Sequence, residues 1–282
     1  MALNNQTIII TGVGFNSNLK ISEIANIYDY PEVKINIGCA VAKIMAEAGY
    51  NLILISKTKE KLQLIKRSLI EKTKRNIGIE IKCIDILDTK EVKNFIESIP
   101  NNYNLHYVHS AGLSSGSYNI ENPYLDLIDT PDELPTLEFK AVVESLLIIS
   151  KHLVPRLRKQ KKSKIIIINS MSGIRPYSLG YSHSSAKAGL HNATRSMALE
   201  LTKDNIFITE INPGMVDTGH YDSPKVQNSI KKICRSFGYD HEELPLMPPE
   251  SVVEVVLLSL ESNAHVLNIN LVSQGQIPHL GA

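Results

Sequence analysis

The feature that most constrains the fold is an alternation of short, β-rich apolar runs with longer segments of helical spacing. The runs are TIIIT (7–11), NLILIS (51–56), IEIKCI (79–84), LHYVH (105–109), KIIIIN (164–169), IFITEI (206–211) and HVLNINLV (265–272). Between them Ala40, Val41, Ile44, Met45 and Ala48 recur at helical spacing, as do Leu62, Ile65 and Leu69, then Val92, Phe95 and Ile99, giving each segment one apolar stripe. Such alternation builds a parallel sheet, and near-continuous apolar strands such as IIII suit burial on both faces. The expected fold is α/β, a doubly wound parallel sheet of about seven strands with helices on both faces. No internal repeat, low-complexity linker or composition shift marks a boundary, so residues 1–282 are read as one domain.

With 43% hydrophobic residues the chain can bury a sizeable core, and 30 basic against 29 acidic residues give no electrostatic case for nucleic acid or an anionic membrane. A small molecule is the expected partner. MALNNQTIIITG has no basic stretch before its apolar run, which is too short to span a bilayer. Cys39, Cys83 and Cys234 are odd in number and lack metal or redox spacing, so a reducing cytoplasm and no structural metal are expected.

Three segments break the alternation: 13–35, 113–134 and 219–249. In an open parallel sheet ligands bind beyond the carboxyl ends of the strands, where all three emerge. After the first strand come Thr11 and Gly12, and the next helix opens with Asn36, Ile37 and Gly38. A glycine turn feeding a helix amino end lets backbone N–H groups approach a pyrophosphate, although Gly12 and Gly38 read equally well as ordinary turn glycines.

Read in order, the motifs resemble those of the short-chain dehydrogenase/reductase superfamily. T-G-x-x-x-G-x-G corresponds to Thr11-Gly12 and Gly38 with Asn36 at the middle glycine, D-[VIL] to Asp85-Ile86, N-A-G to Ser110-Ala111-Gly112, and N-P-G-x-V-x-T to Asn212 through Thr218. The match runs nearly end to end, each motif at the carboxyl end of a predicted strand. The resemblance implies a Rossmann-type fold and a pyrophosphate over Thr11, Gly12, Asn36, Ile37 and Gly38, with Asn36 holding a left-handed, glycine-like turn. It also implies an adenine amino group on Asp85 beside Ile86, and further cofactor contacts from Ser110, Ala111, Gly112, Lys187, Pro213, Gly214, Val216 and Thr218. An acidic residue after the second strand would select NAD(H). Here stand Ser56, Lys57, Thr58 and Lys59, which suit a 2′-phosphate unless the lysines are only a solvated helix start, so NADP(H) is the expected preference and NAD(H) the alternative. The inserted segment reads as a surface excursion with a short helix at SEIANIY, as a flap over the cofactor that a short linker could replace, or as an oligomer contact.

In the resembled family a serine, a tyrosine thirteen residues later and a lysine four beyond that do the chemistry. The positions here are Ser170, His183 and Lys187: histidine replaces the tyrosine. Tyr181 is two residues away, about 200° around a helix, and substitutes only if that helix starts late. Histidine has a reference pKa of about 6.5 against about 10 for tyrosine, and a nearby ammonium favours its neutral form, a hydrogen-bond donor or base. A mere packing or capping role for His183 is the plain alternative. The family's relay asparagine falls at Val142, with Glu144 and Lys140 close by. SSAKAG is similar to the S-A-K-A-G of 2,4-dienoyl-CoA reductases, which reduce a conjugated C=C. The expected activity is hydride transfer between NADP(H) and a carbonyl, alcohol or conjugated enone. The alternatives are a dinucleotide-binding scaffold or sensor with vestigial catalysis, and isomerase or dehydratase chemistry. The resemblance also implies a homodimer or homotetramer.

Overall fold

All seven apolar runs form strands of a single sheet in the computed structural model, which describes residues 6–112, 125–236, 238, 240 and 242–276. In chain order the strands are β1 (Gln6–Thr11), β2 (Phe15–Asn16), β3 (Lys34–Ile35), β4 (Asn51–Ser56), β5 (Ile79–Cys83), β6 (Asn104–His109), β7 (Ser163–Ile168), β8 (Ile206–Pro213) and β9 (Asn268–Leu271). The helices are α1 (Ile37–Ala48), α2 (Lys59–Lys72), α3 (Thr89–Ser98), α4 (Leu134–Phe139), α5 (Ser145–Leu157), α6 (Tyr181–Leu201), α7 (Pro224–Ser236) and α8 (Pro249–Glu261). The parallel sheet has the order β5-β4-β1-β6-β7-β8-β9. The chain thus runs outward from β1 to β5, returns to β6 beside β1, and runs outward the other way. That reversal makes the crevice at the carboxyl ends of β1 and β6 the natural ligand position.

The period of two along each strand divides the core. Ile8 and Ile10 of β1 join a cluster with residues of α1, α2 and α8, whereas Ile9 joins the opposite cluster with α3, α5 and α6. Helix α1 starts where the Asn36 side chain accepts the Cys39 N–H, and ends at Gly49 with φ 95°, where the Tyr50 N–H returns to the Met45 carbonyl. Asp88 caps α3 by accepting the Lys90 and Glu91 amides. No helix among the described residues is long and apolar enough to cross a membrane.

The inserted segment is where the sequence reading needs correction. It pairs β2 with β3 in an antiparallel ladder, and the expected helix at SEIANIY is only a 3₁₀ turn, Ile21–Glu23, that overlaps its first two residues. Ile24, Ile27 and Val33 are buried in the same cluster as α1 and α2. Polar ties fasten it to α2: Asn26 donates to Glu71 at 2.9 Å, the Ile27 N–H to Ser68 Oγ at 3.1 Å, and Arg67 to the Ala25 carbonyl at 3.0 Å. It is an anchored part of the core and not a surface excursion. Each of the three buried side chains contributes about 1.5–3 kcal/mol. Replacing residues 16–33 with a short glycine linker is therefore expected to lower the thermal midpoint; an unchanged melt would show that this packing contributes little.

Candidate active site

The split glycine turn is closed by one side chain. Asn36 Oδ1 accepts the Gly14 and Cys39 amides at 3.1 and 2.9 Å, its Nδ2 donates to the Gly12 carbonyl at 2.8 Å, and its own N–H bonds Gly14 O at 3.0 Å. The chain leaves at Gly14 and returns at Asn36; the three bonds to Gly12 and Gly14 splice the ends, and the fourth, from Cys39, caps α1. Asn36 is extended, with φ −83° and ψ 172°, and not left-handed as expected, because the helix cap needs its side chain rather than an unusual backbone. Gly12 does take a positive φ, 74°, and a Cβ there would lie 2.4 Å from Ser110 O. A Cβ on Gly38 would lie 2.7 Å from Gly12 O, so the cradle closes only with glycine at both positions. The amides of Ile37 and Gly38, in the first turn of α1, have no helical acceptor and suit an anion. Thr11 is fully buried, its hydroxyl 3.2 Å from Tyr107 Oη and 3.3 Å from His109 Nδ1. The structure thus turns this side chain into the core, where its hydroxyl is engaged by Tyr107 and His109.

Ser56 closes β4, and Lys57 Nζ lies 2.8 Å from Asp85 Oδ2, both groups well exposed. The sequence reading placed no carboxylate against Lys57; the fold supplies one. Burial pushes the Asp85 carboxyl up, but hydrogen bonds from Lys57 and the Leu87 amide, with the Lys57 charge, outweigh it and hold the group below its usual value. Ile86 packs against the α3 side of the core. Ser110, Ala111 and Gly112 leave β6 beneath Gly12, and a Cβ on Gly112 would lie 4.0 Å from Lys187 Nζ. Pro213 ends β8, and the loop beyond is fixed by Gly214 N–H to Leu271 O at 2.7 Å and by a bridge between Val216 and Met247. The Thr218 carbonyl accepts from Asn16 at 2.9 Å, and Lys34 pairs with Asp217 at 2.9 Å. The β2–β3 hairpin is thereby clipped across the crevice to the loop after β8.

Ser170 opens the 3₁₀ turn Met171–Gly173, its Oγ accepting from Ser172 N at 3.2 Å and Ser172 Oγ at 2.8 Å. That turn packs on α6 so closely that a Cβ on Gly173 would sit 2.7 Å from Lys187 O. Lys187 is buried, with Nζ 3.4 Å from Asn169 O. Burial pulls its ammonium down to about 8, against the upward pull of Glu210 and Glu138. His183 shares the Lys187 face one turn earlier. Tyr181 is the first residue of α6 and its hydroxyl donates to Leu125 O at 2.7 Å and accepts from Thr130 Oγ1 at 3.3 Å. The helix does not start late, and Tyr181 is not brought together with His183 and Lys187.

Several site residues have no counterpart in the sequence reading. Glu138 of α4, fully buried, places Oε1 3.8 Å from His183 Nδ1. Its signal was available: Leu134, Glu138 and Val142 form one inward stripe, and a carboxylate on it is anomalous. His220 is held below its usual value by burial and then by His183, which places it at the same site. Tyr177 is raised by burial, then by Tyr221 and Glu138, and its ring fills the space a Cβ on Gly180 would need. Leu179 reaches φ 64° in the turn carrying it, a cost of order 1–3 kcal/mol that such sites often bear. Val142 lies in a π turn, Lys140–Glu144, and its carbonyl is 3.3 Å from Nε2 of His109. Burial, then Lys187, hold that ring down to about 3, so it is neutral, donating from Nε2 and accepting from Tyr107 at 2.7 Å. Part of the expected wall, residues 113–124 together with Phe237 and Tyr239, lies outside the described residues.

Comparison with known proteins gives this geometry its context. A sequence model of the short chain dehydrogenase family matches residues 35–227. An uncharacterised oxidoreductase of Staphylococcus epidermidis is 25% identical over 244 residues, 84% of this chain and 91% of that protein. The NADPH-bound short chain oxidoreductase of Pseudomonas aeruginosa PAO1, described as containing an atypical catalytic center, superposes with TM-score 0.73 at 19% identity, over 98% of this chain and 97% of that one. L-Sorbose reductase from Gluconobacter frateurii, complexed with NADPH and L-sorbose, gives 0.72 at 20% identity over 98% and 99% of the two chains. The family match begins at the very point where the Asn36 splice restores the glycine turn and extends past Ser170, Lys187 and the loop after β8. The chain belongs to the short chain dehydrogenase family of oxidoreductases.

Proposed function

We propose that the chain transfers a hydride between NADP(H) and a carbonyl, alcohol or conjugated enone, with His183 as the acid–base group. The observation that carries this reading is the buried Lys187, one helical turn from His183 and packed under the turn that begins at Ser170. The nicotinamide, when bound, supplies or accepts the hydride. Ser170 would polarise the substrate oxygen, Lys187 would hold the nicotinamide ribose, and His183 would exchange the proton. The amino end of α1 with Gly12 and Gly38 would hold the pyrophosphate, and the clip from Asn16 and Lys34 to the loop after β8 would slow cofactor release. A homodimer or homotetramer within the cytoplasm belongs to the same proposal. Its support is apolar Phe139, Leu147 and Leu199 exposed on α4–α6 and three free cysteines. One observation favours the second reading, a binding protein with vestigial catalysis: the relay position is Val142, whose carbonyl is already engaged by His109.

The NADP(H) preference rests on Lys57 and Lys59 beside Ser56. Lys57 pairs with Asp85, so a 2′-phosphate has to compete for it. NADPH is expected to bind more tightly than NADH, less so in high salt. Ser56→Asp is expected to shift the ratio toward NADH by placing a carboxylate at the phosphate position. Calorimetry with both nucleotides decides: equal affinities in the parent protein would overturn the preference.

A further inference from the structure

We infer that Glu138 is the positioning residue of His183: its carboxylate accepts a hydrogen bond from Nδ1–H, which keeps that proton on Nδ1 and leaves Nε2 to exchange a proton with the substrate. The inference rests on the acid–base role proposed for His183. Glu138 is fully buried, on a helix stripe whose other members are apolar. A leucine would pack there at no electrostatic cost, whereas a buried carboxylate is tolerated only beside compensating charge or hydrogen-bond donors. Those neighbours are groups of the site. His183 Nδ1 is 3.8 Å away, and Lys187 and Tyr177 both feel the Glu138 charge. Lys187 and Tyr177 thus flank Glu138, Tyr177 held as a phenol by burial, while His220, held toward its neutral form by burial and then by His183, faces the imidazole.

The imidazole stands ready for that anion. Nδ1 of His183 is buried and makes no hydrogen bond among the described residues, while the ring is 15% exposed. An N–H···O bond needs about 2.7–3.2 Å, so the 3.8 Å gap closes with a shift of under roughly 1 Å. Catalytic hydrogen bonds are often long before the ligand binds and tighten in the complex. Once Nδ1–H is donated to Glu138, the tautomer is set and only Nε2 can take part in transfer. In the reducing direction the carbonyl carbon accepts the hydride, the C=O π pair moves to oxygen, and that oxygen takes the proton from Nε2 of the imidazolium. The histidine is left neutral with its proton on Nδ1. Oxidation of the alcohol runs the same steps backward. The carboxylate also offsets the Lys187 ammonium, which by itself would disfavour a protonated imidazole.

The test reads the tautomer and the turnover separately. Nitrogen-15 NMR of the NADP⁺-bound protein, with the His183 signals assigned through their loss in His183→Gln, is expected to show the neutral ring protonated at Nδ1. Glu138→Gln, whose amide can donate to Nδ1 instead, is expected to convert much of it to the Nε2–H form. The same variant should lower kcat about 10- to 100-fold, with the NADPH dissociation constant nearly unchanged. Glu138→Asp should recover part of that loss. An Nε2–H tautomer in the parent protein would overturn the inference, as would an unchanged tautomer in Glu138→Gln. If the parent protein turned over no carbonyl or enone, the proposed activity would fail, and the spectrum alone would still decide whether Glu138 positions the ring.

Discussion

His183→Ala is expected to lower turnover on the order of a hundredfold while leaving NADPH affinity nearly intact, since positioned proton transfer contributes about 10² to 10⁴. The reasoning is geometric. His183 shares a helix face with the buried Lys187 and has the Glu138 carboxylate beside it, whereas the Tyr181 phenol is bonded to Leu125 O and Thr130. Tyr181→Phe should therefore leave turnover close to that of the parent and cost at most a hydrogen bond of about 0.5–1.5 kcal/mol in stability. Lys187→Ala should damage both turnover and cofactor binding. In the parent protein the Lys187 ammonium is present below about pH 8 and lost above it, so both properties should decline as pH rises through that value. A large loss in Tyr181→Phe with a mild one in His183→Ala would reverse the assignment.

Gly12→Ala is expected to destabilise the fold and abolish nucleotide binding. The position has φ 74°, which costs an ordinary residue roughly 1–2 kcal/mol. The added Cβ would lie 2.4 Å from Ser110 O and 2.7 Å from Ala111 Cα, both backbone atoms that no side-chain rotation can relieve. Overpacking of this kind adds about 1–3 kcal/mol. The loop carrying Ser110 and the crevice beside β1 would have to move apart. A denaturation curve and a nucleotide titration check this, and a parent-like melt with parent-like affinity would mean the turn relaxes elsewhere.

The sheet was legible in the sequence because its strands are buried on both faces and so appear as unbroken apolar runs, as in Ile165 to Ile168. The edge strand β9 was overestimated: its solvent-facing residues weaken the pattern, and His265 instead accepts the Ile208 N–H at 3.0 Å. The β2–β3 hairpin was not legible, since two residues per strand show no alternation. Ser170, His183 and Lys187 are picked out by motif spacing, and the structure packs the Ser170 turn on Lys187, one helical turn from His183. Glu138 and His220 are long-range neighbours of His183, and no local pattern connects them. The Lys57–Asp85 pair was missed for the same reason, as its members leave two different strands that are adjacent only in the sheet.

As proposed, the crevice beside β1 and β6 is a working NADP(H) oxidoreductase site with histidine in the place of tyrosine. The most direct measurement is to titrate the protein with NADPH and then follow the loss of reduced-nicotinamide absorbance against a panel of ketones, aldehydes and conjugated enones, in parallel for the parent and His183→Ala. The account predicts saturable NADPH binding in both proteins and oxidation with at least one substrate class in the parent, slowed on the order of a hundredfold in the variant. Saturable binding with no oxidation by any member of the panel, or equal rates in the two proteins, would contradict it.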